Sequence, residues 1–237
     1  MSDTPAALRE AHHADVSGGW LRPAVFGAMD GLVTNIALIA GVGGGGVSPH
    51  SIVLTGVAGL VAGAISMGLG EYTSVRSANE QVAAEVAKER RELERHPEAE
   101  ARELADAWVA RGLSRDLATQ VAEAVRANPE EALRVHVREE LGVDPDDQPS
   151  PWAAAISSFL FFSVGALIPL LTYLLGATSL WLALAVGGVG LFAAGAIVAR
   201  FTNRAWWSSG VRQLLLGAAA AAATYLVGTL IGIQGGL

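Results

Sequence analysis

The chain has 237 residues, of which 51% are hydrophobic and only 16% are charged, and it contains no cysteine. This composition excludes an ordinary soluble domain, because the polar residues are too few to cover the apolar core that they would enclose. The absence of cysteine excludes disulfides and also the thiolate ligands that Cu⁺ and structural Zn²⁺ sites favour. With a formal net charge of −7, we expect no nucleic-acid partner.

Five segments are long and apolar enough to cross a bilayer, which takes about 20 residues. They share a near absence of charge, and they are 23–42, 52–69, 152–175, 180–198 and 214–233. The sequence therefore predicts an all-α integral membrane protein with five transmembrane helices and a cytosolic helical insert between helices two and three. The predicted parts are an N-terminal cytosolic segment 1–20, spans one and two in 21–75, the insert 76–148, and spans three to five in 149–237.

The basic residues predict the orientation. They precede span one, fill the insert and flank the turn between spans four and five, whereas the other two loops and the C-terminal tail have none. The positive-inside rule then predicts a cytosolic N-terminus and an external C-terminus. The first 20 residues are polar and resemble neither a signal peptide nor a transit peptide. We therefore expect a multi-pass protein of the plasma membrane.

Spans one and two carry the polar residues that suggest a transport pathway. Asp30 lies near the middle of span one, where a charge costs roughly 3 kcal/mol or more and so marks a functional site. Asn35 is the other strongly polar residue of that span, and Met67 and Glu71 follow two glycines on one face of span two. Oxygen ligands with one thioether favour a transition ion over Mg²⁺ or Ca²⁺. The alternatives are that Met67 fills a packing gap and that Glu71 snorkels to the interface.

The insert is predicted to form four helices, at about 76–95, 98–111, 115–127 and 129–141, with the first continuing from span two. An Asn128 cap before Pro129 and a closing Gly142 bound the last of them. Apolar residues at helical spacing should form a small core, namely Leu104, Trp108, Leu113, Leu117, Val121, Val125, Leu133, Val137 and Leu141.

Acidic residues of the insert recur at helical spacing. They are Glu85, Glu89 and Glu92 on the first helix, Glu100 and Glu103 on the second, and Glu140 beside His136 on the last. Like charges so spaced repel by a few tenths of a kcal/mol per pair, and bound Fe²⁺, Mn²⁺ or Zn²⁺ would relieve that repulsion. The alternative is a solvated acidic face that nearby Lys and Arg partly balance.

Several stretches of the sequence resemble the vacuolar iron transporter family, which also has bacterial members. They are the Asp-Gly-Leu-Val-Thr run at 30–34, the Ala-Gly-Ala-Ile-Ser-Met-Gly-Leu-Gly-Glu-Tyr run at 62–72, Asn128-Pro129, the Glu-Leu-Gly landmark at 140–142, and the Ile-Pro-Leu-Leu run at 168–171. The resemblance implies a homodimer with the pathway at its interface, and proton-coupled antiport of Fe²⁺ and similar ions.

The resemblance also implies roles for single residues. The family's intramembrane aspartate and span-two methionine fall on Asp30 and Met67, and its insert glutamates fall on Glu89, Glu92, Glu100, Glu103 and Glu140. Two departures stand out. His136 and Val137 replace a pair of methionines, which leaves His136 as a ligand of different softness. A glutamate of plant members falls on Gly59, so that role is either missing or taken by Glu71.

The leading hypothesis is a transporter that exports Fe²⁺, or Mn²⁺ and other divalent transition metals, from the cytosol by proton antiport. The partners would be the lipid bilayer, protons, the transported and insert-bound ions and a second copy, with no prosthetic group. The alternative is a membrane-anchored metal sensor or buffer, although such an anchor has no need of a buried Asp30. We expect no enzyme activity, since the spans hold no Ser/His pair, paired aspartates or HExxH motif.

Overall fold

The computed structural model describes residues 19–202 and 204–235, so the predicted N-terminal segment lies almost wholly outside the described residues. All regular secondary structure in these ranges is helical. The helices are α1 (Leu21–Gly44), α2 (Pro49–Arg95), α3 (Pro97–Ala110), α4 (Arg115–Arg126), α5 (Pro129–Leu141), α6 (Pro151–Leu174), α7 (Leu180–Thr202) and α8 (Trp206–Gly235).

Five of these helices are long and apolar enough to span a membrane: α1, the first half of α2, α6, α7 and α8. The predicted all-α membrane architecture is thereby confirmed. The last helix begins at Trp206, earlier than the predicted start of span five at residue 214. The extra residues include Arg212 and Gln213, which lower the apolar character of a membrane span but are good helix formers at its edge.

Helix α2 is one continuous helix of 47 residues. As predicted, it runs from span two into the insert, because neither glycine nor proline follows Gly70 before its end at Arg95. At 1.5 Å per residue it is about 70 Å long, which is more than twice the apolar thickness of a bilayer. Residues of span two and of the insert therefore sit on one rod.

Helix α1 is the centre of the membrane part and packs against α2, α6, α7 and α8. Small residues bring the backbones together. A Cβ on Gly31 would collide with the backbone oxygen of Phe162 in α6, and a Cβ on Gly228 in α8 would collide with the carbonyl of Gly41. Close approach through glycine is the usual way in which helices associate in lipid, where apolar surface alone gives no preference for a protein partner.

The insert has its own apolar core. Helices α3, α4 and α5 contact only one another and α2 among the described helices. Of the predicted core residues, Leu104, Leu133 and Val137 are buried, and Trp108, Leu113, Val121 and Val125 are partly buried.

The predicted burial of two residues in the insert core was wrong. Leu117 is 50% exposed and Leu141 is 39% exposed. Helix α4 turns Ala118 and Ala122 inward instead, since small side chains let α4 approach α3 closely. The predicted end of α5 is confirmed, because Gly142 follows it with a φ of 66°, a left-handed conformation that glycine adopts without strain.

Candidate metal centre and membrane cavity

A buried imidazole surrounded by carboxylates lies where three insert helices meet. Nδ1 of His136 in α5 is 3.2 Å from a carboxylate oxygen of Glu89 in α2 and 3.8 Å from one of Glu100 in α3. It is 3.4 Å from a carboxylate oxygen of Glu140, one turn further along α5. The candidate ligand atoms of these four residues all lie within 4.8 Å of one another. We call this group the insert centre.

The insert centre is largely shielded from solvent. His136 is 3% exposed, Glu89 7% and Glu100 8%, whereas Glu140 is exposed and forms the solvent edge of the centre. Oε1 of Glu89 is buried and has no hydrogen-bond partner among the described residues, although it lies near the His136 ring. A buried carboxylate oxygen without a partner costs free energy, which a bound cation would recover. Three carboxylates and an imidazole are donors that suit Fe²⁺, Mn²⁺ and Zn²⁺.

Two further acids, Glu92 and Glu103, lie close enough to the insert centre to affect the pKa of Glu89. Burial, together with the nearby carboxylates of Glu140, Glu100, Glu92 and Glu103, raises the pKa of Glu89 to about 7. The pKa of Glu100 is also raised, chiefly by burial and then by Glu103. Glu92 is half-buried and Glu103 is exposed. The fold thus brings four of the six predicted insert ligands together and places the other two within electrostatic reach.

We expect the metal-free insert, made as residues 76–148, to lose stability as the pH rises from about 5 to about 8. A carboxyl whose pKa is raised on folding binds more protons in the folded than in the unfolded chain, between its ordinary value of 4.5 and about 7. Its ionisation therefore lowers the free energy of unfolding, for Glu89 by on the order of 3 kcal/mol. Thermal melts in a chelator across this pH range measure the effect.

The matched variants for that experiment are Glu89→Gln and Glu94→Gln, both on α2. The first should flatten the pH dependence, because the amide does not titrate. The second should leave it unchanged, because Glu94 is exposed. A wild-type insert that melts at the same temperature throughout the range would contradict the raised pKa of Glu89.

A second concavity lies between the spans, with a volume of about 330 Å³. Asp30 and Thr34 of α1 line it, together with Met67 and Glu71 of α2 and Phe162 of α6. The Thr34 hydroxyl donates a hydrogen bond of 3.3 Å to Oδ1 of Asp30. We call this space the membrane cavity. It presents two carboxylates and a thioether, and the predicted stripe on span two does face Asp30.

The sequence of the chain matches the VIT family over residues 21–229. The chain belongs to the vacuolar iron transporter family. It is 34% identical over 232 residues to vacuolar iron transporter 1 of Oryza sativa subsp. japonica, covering 95% of this chain and 92% of that relative. The identity to the vacuolar iron transporter of Acanthamoeba castellanii is 38% over 204 residues, covering 81% and 74%. Vacuolar iron transporter 1 of Arabidopsis thaliana is 31% identical over 226 residues, covering 93% and 90%.

One predicted pathway residue of this vacuolar iron transporter family member does not line the membrane cavity. Asn35 is 1% exposed, and its Nδ2 donates to the carbonyl of Ala166 in α6, close to the proline at 169. Its Oδ1 has no partner within the described chain and points toward Gly56 of α2, where a Cβ would lie 3.5 Å away. Asn35 therefore belongs to the packed region above the cavity.

Thr34, which hydrogen-bonds to the cavity aspartate, was not among the residues predicted from the sequence. The sequence does indicate this contact, because Thr34 follows Asp30 by four residues and therefore lies on the same helix face. Nothing in the sequence indicated that Phe162 lines the cavity. Its ring packs over Gly63, where a Cβ would lie 2.6 Å from Cε1 of the ring, and the residue is only 2% exposed.

Proposed function

We propose that this multi-pass membrane protein exports Fe²⁺ from the cytosol in exchange for protons. The observation that supports it best is the membrane cavity, which Asp30, Met67 and Glu71 line together between the spans. Several of its relatives carry the name vacuolar iron transporter. Mn²⁺ and other divalent transition ions suit the same ligands. Transport, and not catalysis, is the activity that we assign.

The proposed cycle begins with capture at the insert centre. Glu89, Glu100, His136 and Glu140 concentrate divalent ions near the mouth of the pathway. Helix α2 then links the two sites, because Glu89 and Glu71 stand on the same rod about 27 Å apart along its axis. The insert centre offers four ligand residues and the membrane cavity offers three, so the ion would lose a ligand as it moves from the insert into the membrane cavity.

Proton coupling follows from competition within the membrane cavity. A carboxylate must be deprotonated to bind a cation, so a proton and a metal ion exclude each other at Asp30 and Glu71. Protons entering from the opposite side would release the ion outward. Asn35 stays a proposed pathway residue, because its unpartnered Oδ1 offers the next oxygen ligand beyond the cavity.

We further propose that the protein acts as a homodimer in the plasma membrane, with its N-terminus and insert in the cytosol and its C-terminus outside. The alternation of basic loops supports the orientation. Exposed small residues at every fourth position of α2, namely Ala58, Ala62, Ser66 and Gly70, support the second copy, because small residues let two helices approach closely in lipid. The mass of the detergent-solubilised protein by light scattering tests the dimer, which a monomer would contradict.

Flux into sealed vesicles tests the transport function. Purified protein should move Fe²⁺, and an imposed pH gradient should accelerate the movement when protons run against the metal. Flux that ignores the pH gradient would contradict antiport. Metal binding without any flux would instead favour a membrane-anchored sensor or buffer, for which the insert centre alone would suffice.

We expect Met67→Leu to change the ratio of Fe²⁺ to Mn²⁺ transport rates severalfold while costing less than about 1.5 kcal/mol of stability, because the swap roughly conserves volume. It removes the thioether from the membrane cavity, and the softer sulfur ligand distinguishes among transition ions. Met29→Leu is the matched control, since Met29 lies on α1 but does not line the cavity. If both variants keep the wild-type ratio, Met67 serves packing alone.

A further inference from the structure

A cavity of about 750 Å³ lies where α7 passes into α8, at the insert end of the membrane part. It is separate from both sites described above. The residues that line it are Ala196, Ile197, Ala199, Arg200, Arg204, Ala205 and Trp206. One end of this lining is cationic and the other is apolar.

The cationic end consists of two arginines, Arg200 and Arg204. Arg200 and Arg204 are exposed, and neither makes an ion pair within the part of the chain that the structure describes. The insert arginines behave differently, since Arg76, Arg90 and Arg111, for example, each pair with a glutamate. Two unpaired guanidinium groups at one cavity are suited to a phosphate, which accepts bidentate hydrogen bonds.

The apolar end reaches toward the bilayer core. The ring of Trp206 packs edge-on against Phe192 of α7, with 6.0 Å between the ring centroids. Phe192 lies two turns deeper in the span than Arg200, so the Trp206 ring is directed into the membrane. Trp206 and Trp207 are 60% and 59% exposed, as is typical of aromatic residues at the level of lipid headgroups.

We propose that this cavity binds an anionic phospholipid, with the headgroup phosphate on Arg200 and Arg204 and an acyl chain along Ile197 and Trp206. The order of the lining residues along the membrane normal supports the proposal. Charged residues lie at the membrane surface and apolar residues lie deeper, which matches a phospholipid and not a soluble anion. Basic cavities between membrane helices commonly take anionic headgroups. The proposal is independent of the transported ion.

The test uses the full-length protein in nanodiscs that contain brominated lipid, which quenches tryptophan fluorescence on contact. The chain has six tryptophans, so the difference between wild type and Trp206→Phe isolates the signal of Trp206. Brominated phosphatidylglycerol should quench this signal more than brominated phosphatidylcholine at equal content. Equal quenching by the two lipids would overturn the proposal.

Variants then test the two arginines. Arg200→Gln/Arg204→Gln should lower the preference for phosphatidylglycerol by up to about 30-fold. Arg212→Gln is the matched control, since Arg212 is an exposed arginine of α8 that does not line the cavity. If the glutamine variant proves unstable, Arg200→Lys/Arg204→Lys is measured instead. It should keep most of the preference, because it keeps both positive charges. A preference that survives the glutamine pair, or that falls equally in the control, would overturn the assignment.

A competition experiment separates a lipid from a soluble phosphate. Millimolar glycerol phosphate, compared with sodium chloride of equal ionic strength, should leave the preference of Trp206 for the anionic lipid unchanged. Complete loss of the preference with glycerol phosphate alone would show a site for soluble anions and would overturn the lipid proposal.

Discussion

Asp30→Asn is expected to reduce metal flux by more than about 100-fold, while the protein still folds and inserts. The reason is chemical, since the amide keeps the size of the side chain but carries no charge against the cation and does not titrate. A charge-assisted contact is worth up to about 3 kcal/mol, which by itself corresponds to a loss of roughly 100-fold, and the lost exchange of metal for proton adds to it. Flux of Fe²⁺ and Mn²⁺ into vesicles with an imposed pH gradient measures it.

The insert centre supplies the internal control for that variant. It lies on α2, α3 and α5, away from the membrane cavity, so Asp30→Asn should bind metal at the insert as the wild type does. Asp116→Asn, on the exposed face of α4, should transport normally. Normal flux by an Asp30→Asn protein that is correctly inserted would show that the membrane cavity is not the pathway.

Replacing Glu89, Glu92, Glu100 and Glu103 by glutamine is expected to remove most divalent metal binding from the insert. The same change should leave the metal-free insert at least as stable, because it removes the mutual repulsion and the burial cost that raise the pKa of Glu89. In the wild type, metal at 100 times its dissociation constant should add about 2.7 kcal/mol to the free energy of unfolding. Titration calorimetry and thermal melts of residues 76–148 with Fe²⁺ or Mn²⁺ measure both effects.

A pair of double variants sharpens this experiment. Glu89→Gln/Glu100→Gln removes the two buried carboxylates, whereas Glu94→Gln/Glu98→Gln removes the same charge from exposed positions of the same helices. Only the first pair should abolish stabilisation by metal, and wild-type binding should weaken at low pH as the ligands protonate. If metal does not change the melting temperature of the wild-type insert, these acids form a solvated acidic face and not a metal site.

The five spans, the continuity of α2 and the closure of α5 at Gly142 could be predicted because they depend on local sequence. Apolar length sets where a chain can cross a bilayer, and a missing Gly or Pro lets a helix continue. The prediction that Asp30 is a functional residue was equally local, since a charge inside an apolar run is unusual whatever surrounds it.

Only the tertiary structure decided which helix faces meet. The spacing of residues in the sequence placed Glu89, Glu100 and Glu140 on faces of three different helices. It did not determine whether these faces point to solvent or to one another. The fold answers this by burying His136 among them and by keeping Glu103 at the edge. It also turned Leu117 outward and Ala118 inward, because the contact with α3 depends on how closely two backbones approach. Periodicity defines one face of one helix, whereas packing, burial and the pKa of Glu89 arise from residues that are distant in the sequence.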